Sequence, residues 1–177
     1  IYWQTANLIV DSGAVDENAG DSTNYGKMAI AIAAVQKENV KVELPLINSA
    51  DFGFKADVEN NRIIFGLKGI NGIGYDIVQA IIQNRPFNSM EDFAHKMLDT
   101  KLITKSKMVQ LIKAGCFTEL HSSDRKETMR WYLKNYAFTP SDKITMQQFA
   151  KMTELGIIPE SLDLAKRMVN FKKYVLD

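Results

Sequence analysis

The sequence predicts a mainly α domain carrying one small β-hairpin. Two observations carry that expectation. Apolar residues alternate with polar ones from Phe52 to Ala56, and after Glu59-Asn60-Asn61 comes Ile63-Ile64-Phe65, the pattern of two short strands around a turn. From Ile77 onward the period changes to that of a helix, with Ile77, Ala80, Ile81 and Asn84 on one face. Between the two patterns lies a glycine-rich turn, Gly69-Ile70-Asn71-Gly72-Ile73-Gly74.

In chain order, Ile1 to Val10 reads as a buried helix or strand that ends at Asp11-Ser12-Gly13. Asp16 to Asn24 is acidic and poor in apolar residues, and reads as a mobile loop. Asn24 to Lys37, rich in alanine and isoleucine, is expected to form a buried helix closing near Glu38-Asn39. Val40 to Leu46 should be extended, because it is β-branched at its start and Pro45 cannot continue a helix. Arg85-Pro86 stops the helix after the glycine turn. Ser89 can cap a short helix running to Met97, and Thr104 a longer one with Met108, Leu111 and Ile112 inward, ended by Ala114-Gly115. Further helices are expected around Asp124 to Tyr136, Thr145 to Leu155 and Glu160 to Val175.

The chain has 177 residues, enough for one or two ordinary domains. It opens at Ile1 instead of a methionine and closes on a continuing helical pattern, so it is expected to be a piece of a longer protein. No apolar run approaches the roughly 20 residues of a spanning helix, and the start lacks the basic region of a secretory signal. The one cysteine, Cys116, can make no internal disulfide and has no zinc partners, which fits a reducing cytoplasm and a small buried residue. The net charge of +1 hides an asymmetry: residues 1–60 carry four basic and nine acidic side chains, residues 101–143 nine and four. Lys101, Lys105, Lys107 and Lys113 follow one another without an intervening carboxylate, as on a phosphate-facing surface or a solvated helix face.

The glycine turn bears the chemistry. A helix, a tight Gly-X-Gly turn and a second helix leave backbone amides unpaired at a helix N-terminus, where they can donate to a phosphate oxygen. A side chain at Gly72 or Gly74 would hold a sugar-phosphate backbone away, and Ile70 and Ile73 should point inward to anchor the turn. The alternative is a glycine turn that only lets helices pack closely. The spacing of Gly69, Gly72 and Gly74 does not match G-x-G-x-x-G, and no Lys-Ser/Thr completes a P-loop.

An ordered series of blocks then resembles the alpha subunit of bacterial DNA polymerase III: Leu46-Ile47-Asn48-Ser49, Phe54, Ile64-Phe65-Gly66-Leu67-Lys68 running into the glycine turn, Ile81-Ile82, Pro86-Phe87, Asp92-Phe93, and Leu111-Ile112-Lys113-Ala114-Gly115-Cys116-Phe117. The likeness is good from Asn39 to Leu120, looser over Ile1 to Glu38, and thins after His121. It implies a helix-hairpin-helix DNA-binding region at residues 52–120, the end of a fingers region at 1–51 and a helical C-terminal extension at 121–177. Two departures stand out: Asn71 replaces the usual basic residue at the hairpin tip, and Cys116 the usual alanine.

By that resemblance, Gly69, Asn71 and the amides around Gly72, Ile73 and Gly74 would meet the backbone of double-stranded DNA, with Lys68 as a nearby cation. Lys105, Ser106 and Lys107 would open a second, degenerate hairpin element. Such contacts position without reading bases. The parent would be a DNA-directed DNA polymerase, a nucleotidyltransferase whose palm carboxylates hold Mg2+. No catalytic or metal-binding residue is assigned here, since Glu91-Asp92 diverge on a helix and His95 and His121 lack companions. Trp131, Tyr132 and Tyr136 among cations could stack on a single strand or form core. Met146-Gln147-Gln148-Phe149 loosely resembles a sliding-clamp peptide. Two other functions are open: a scaffold docking a clamp or another replisome protein through residues after His121, and an independent helix-hairpin-helix repair protein, against which the Leu46–Ser49 and Phe54 blocks argue. Cellular or phage origin is open too.

Overall fold

The computed structural model describes residues 1–12, 25–98, 101, 103–137, 143–156 and 169–170. The expected loop at Asp16 to Asn24 lies outside them. The chain divides into two compact units, Ile1–Arg125 and Lys126–Asp177. Helices dominate, and one small sheet sits in the first unit.

That unit begins with α1 (Tyr2–Asp11) and α2 (Tyr25–Lys37). Neither is buried all round, as their composition suggested. Thr5 and Leu8 face inward from α1 while Tyr2 and Trp3 are exposed, and Met28 and Val35 face inward from α2 while Ile30 is exposed. The reason is geometric: a helix against one partner covers a single stripe at three- and four-residue spacing, whatever apolar residues lie elsewhere. The stripes meet a sheet made of β1 (Lys41–Glu43), β2 (Lys55–Asp57) and β3 (Arg62–Ile64). β2 and β3 form the expected antiparallel hairpin, pairing Ala56 with Ile63. β1 adds on the other side of β3, parallel, with Val42 opposite Ile63. Leu8, Met28, Val35, Val40, Phe54 and Ile63 make the shared core, and the Phe54 and Phe65 rings meet edge to face at 4.8 Å.

The hairpin turn is held by Asp57. Its carboxylate accepts from the Arg62 guanidinium at 2.7 Å and from the Asn60 backbone and side chain. These donors hold its pKa below the ordinary carboxylate range, Arg62 foremost. Asn61 closes the turn in left-handed geometry, with φ 46°, a region asparagine tolerates better than most residues.

After the hairpin come α3 (Tyr75–Gln83), the short α4 (Met90–Phe93) widening into a π-helical turn at Ala94–Leu98, and α5 (Lys105–Ala114). The caps read from sequence are made: the Ser89 hydroxyl accepts from the Asp92 amide at 3.1 Å, and the Thr104 side chain caps α5. Gly115 at φ 84° ends α5, with the Gly115 amide bonded to Ile112 and the Cys116 amide to Leu111; this crossed pair satisfies the last carbonyls of the helix. Phe87, Phe93 and Phe117 stack edge to face in a chain, with 4.9 Å between successive centroids.

The second unit contains most of α6 (Arg125–Tyr132), which continues as a π-helical turn through Ala137, and α7 (Met146–Glu154). Thr145 and Gln148 form a reciprocal capping box at the start of α7. Residues of the expected helix at Glu160 to Val175 lie largely outside the described ones. Where they are described, the expectation fails: Val169–Asn170 (β5) are extended and pair antiparallel with Lys143–Ile144 (β4). β-branched Val169 opposite Ile144 suits a strand pair better than helical periodicity suggests. Among the described residues no helix is long and apolar enough to cross a membrane.

Candidate nucleic-acid interface

The glycine turn is held in place before it reaches the surface. The Leu67 amide donates to the Asp51 carbonyl at 2.9 Å and the Lys68 amide to Phe52 at 3.0 Å. Gly66 lies so close to Gly53 that a Cβ on it would come within 2.4 Å of the Gly53 carbonyl carbon. Only three residues, Leu67–Gly69, form helix before the turn, as one 3-10 turn. The first helix of the expected pair is thus reduced to its last turn, because β3 ends at Ile64 and leaves no room for more.

Ile70 to Ile73 then make a β-turn: the Ile73 amide donates to the Ile70 carbonyl at 3.1 Å, and Gly72 takes φ 77°. A positive φ at the third position is the type II pattern, which selects glycine there. Ile70 and Ile73 are both buried and anchor the turn from below, as their positions predicted. The Ile73 amide, expected among the phosphate donors, is instead consumed inside the turn. Gly74 then caps α3, whose residues Ile77, Val78, Ala80 and Ile81 are buried. Among the described residues no hydrogen bond engages the amides of Gly72, Gly74, Tyr75 or Asp76. Those of Gly74, Tyr75 and Asp76 are the orphan donors of a helix start.

The three glycines of the turn serve different ends. Gly69 is a packing glycine: a Cβ there would sit 2.5 Å from the Phe65 ring. Gly72 is required by its φ, and a Cβ on it would meet nothing. Gly74 has φ −89°, open to any residue, and a Cβ on it would also meet nothing within 4 Å. Internal packing therefore explains only the first. Bare backbone at Gly74 is an arrangement that favours close approach by something outside the chain.

A surface groove of about 400 Å3 lies against this bare backbone. It is lined by Gly72, Gly74, Asp76 and Ile77 from the turn and α3, and by Lys101 and Lys107 from the next helical segment. Lys107 is held at the first turn of α5 by the Thr104 cap, while Lys101 sits at φ 58° just before it. Among the described residues, two cations and the unpaired amides of Gly72, Gly74 and Asp76 against one carboxylate make the groove a receptor for an anion. Lys101 was not among the residues singled out by motif; its place in a lysine run without carboxylates was the available signal. Lys105 and Ser106 are exposed on the same helix start, outside the groove lining, and Lys68 is half-buried and also outside it. Asn71 is exposed at the tip and contributes no charge.

The other sequence candidates fall elsewhere. Asp92 accepts from the Asn88 amide and from Lys96 at 3.0 Å, which together hold its carboxyl below the usual range, the backbone bond foremost. Among the described residues no group of three His, Cys, Asp or Glu is placed to share a metal ion. Cys116 is buried, and burial pushes its thiol pKa well up, keeping it protonated and unreactive. Tyr132 is buried, whereas Trp131 and Tyr136 pack on each other at 5.2 Å. In the clamp-like peptide, Gln148 is committed to the capping box and Phe149 is buried.

A family model for the helix-hairpin-helix motif matches residues 39–128. The chain is 40% identical over 181 aligned positions to a probable DNA polymerase, YorL, of Bacillus subtilis, an alignment covering 99% of this chain and 14% of that protein. A DNA-directed DNA polymerase of Bacillus phage SPbeta matches to the same extent. The DNA polymerase III subunit alpha of Pseudomonas aeruginosa is 33% identical over 104 positions, 56% of this chain and 9% of that subunit. The chain thus spans a small part of the length of the curated relatives it matches. The model match, the type II glycine turn and the helix that follows it together establish that this chain belongs to the helix-hairpin-helix family.

Proposed function

We propose that this chain is the part of a DNA-directed DNA polymerase that grips the backbone of double-stranded DNA without reading its bases. One observation carries the reading: Gly72, Gly74 and Asp76, whose amides have no hydrogen-bond partner among the described residues, share a groove with Lys101 and Lys107. A phosphate oxygen in that groove would accept from the amides while the ammonium groups neutralise its charge. Main-chain amides and ammonium groups on a phosphate position a strand without reading it, so on this reading sequence discrimination falls to template pairing. Nucleotidyl transfer and its Mg2+ belong, on this reading, to parts of the parent beyond these residues. Lys68, Lys105 and Ser106 act as outlying cationic or polar contacts to neighbouring phosphates. The likeness to polymerases of Bacillus subtilis and its phage supports the assignment to a replicative enzyme over an independent repair protein.

Fluorescence anisotropy with labelled duplexes of unrelated sequence tests this. Binding should be sequence-independent, weaken with salt at a log-log slope of about −0.9 per phosphate contacted, and disappear in Gly72→Glu while circular dichroism remains unchanged. A folded Gly72→Glu variant that binds as well as the native chain overturns the proposal.

A further inference from the structure

We infer that a second groove, on the other flank of the hairpin tip, receives an unpaired nucleotide of the same DNA. This rests on the proposed grip at the hairpin and extends it from duplex to single strand. The groove, of about 500 Å3, lies wholly within the first unit. Its floor is apolar, built from Ile32, Val42, Pro45, Phe65 and Ile70, and its volume is within the range of small-ligand sites. Two aromatic rings border it. Phe65 lies over Gly69, whose missing Cβ gives the ring its room, and Tyr25 stands about half exposed at the edge.

What selects the occupant is the combination of that floor with its rim. Lys113 and Arg125, both exposed, line the groove and outnumber its half-buried carboxylate, Glu43, and Arg125 is tethered by its guanidinium to the Lys113 carbonyl at 2.8 Å. An apolar slot with aromatic edges and a cationic rim matches a flat base attached to a phosphate. Continuity gives the second argument. Asn71 lines this groove, whereas Gly72, the next residue, lines the phosphate groove. A strand held by its phosphate at Gly72 therefore has this slot one residue of hairpin away. Gln110 and Asn71 offer amides to a base edge without dictating which base.

The test compares three probes on the full chain: a blunt duplex, the same duplex with a short single-stranded extension, and a short single-stranded oligonucleotide. The variants are Gln110→Trp, which fills the slot from a half-exposed position, and Arg125→Ala, which removes a rim cation. The inference expects the extension to tighten binding about tenfold, as stacking of a base does elsewhere, and each variant to erase most of that gain with blunt-duplex affinity unchanged. Equal affinity for blunt and extended duplexes overturns it and leaves the hairpin reading intact, as does a gain that survives Gln110→Trp. Slot-dependent binding of the single strand without binding of blunt duplex upholds the slot and overturns the duplex grip. If a peptide with apolar and acidic side chains competes for the slot while no single strand does, the occupant is a protein and the inference falls.

Discussion

Gly72 and Gly74 stand two residues apart, yet substitution should separate them cleanly. Gly72→Ala forces a side chain into the left-handed region and should cost about 1 kcal/mol of stability, read from urea unfolding. Gly74→Ala, at a permitted φ and with nothing near its Cβ, should leave the unfolding midpoint almost unmoved and still weaken DNA binding by obstructing the groove. If the groove takes no phosphate, anisotropy will find Gly74→Ala indistinguishable from the native chain. Asp76 gives the opposite sign. Among the described residues it is the one carboxylate lining the groove, so Asp76→Asn should strengthen binding by about fivefold, the roughly 1 kcal/mol Coulomb energy of one charge removed at contact range in water. The sequence announced both glycines, but not that the Ile73 amide between them is spent, because one turn hydrogen bond depends on where Ile70 points its carbonyl. Acid should act through Asp57 and Asp92. Both carboxyls are held below their unfolded value near 3.9, so their contribution is complete above about pH 4 and is lost as pH falls through the folded values. Asp57→Asn and Asp92→Asn should each flatten the acid limb of a plot of Tm against pH.

At the level of elements, the segment from Ile47 to Ala50 fastens two others, the stretch Arg85–Phe87 and the end of α5. The Asn48 amide exchanges two hydrogen bonds with the backbone of Phe87, at 2.8 and 2.9 Å. Arg85 donates to the carbonyls of Ile47 and Ala50, and burial draws its pKa down although Asp51 opposes the shift. The Ile47 amide donates to Cys116 at the end of α5. Asn48→Ala removes both bonds to Phe87 and should cost about 1–3 kcal/mol, with DNA binding reduced in proportion to the fraction unfolded and recovered at low temperature or in stabilising osmolyte. Thermal melts alongside anisotropy check that coupling. Helix starts and stops were legible here because caps are local chemistry: Ser89, Thr104 and Gly115 act within a few residues of themselves. The parallel addition of β1 to β3 was not, since Val42 and Ile63 are brought together only by the intervening fold. Likewise the exposed faces of α1 and α2 depended on how many neighbours each helix has, which periodicity cannot count.

For the whole chain, a net charge of +1 gives no general attraction to DNA, so binding must be local. The salt slope should therefore track the few phosphates at the hairpin, and Lys101→Ala with Lys107→Ala should make it shallower by roughly two phosphate equivalents. A slope unchanged by the double variant would place the contact elsewhere. The polarity read along the sequence, acidic before residue 60 and basic after 101, located one lysine wall of the groove without revealing that the glycine turn forms the other. That meeting joins residues some thirty positions apart, and only the packed α3 and α5 segments define it.

The donors at the start of α3 belong to the main chain, and this has a genetic consequence. A point mutation can delete a lysine or an arginine, but it cannot delete a peptide N–H unless it installs proline. Such a contact is lost only by blockage, through bulk added at Gly72 or Gly74, while the residues around it are free to drift. On the proposed reading a neutral tip residue such as Asn71 is then an ordinary variation: charge there would set how tightly a strand is held, while the main-chain donors would stay in place.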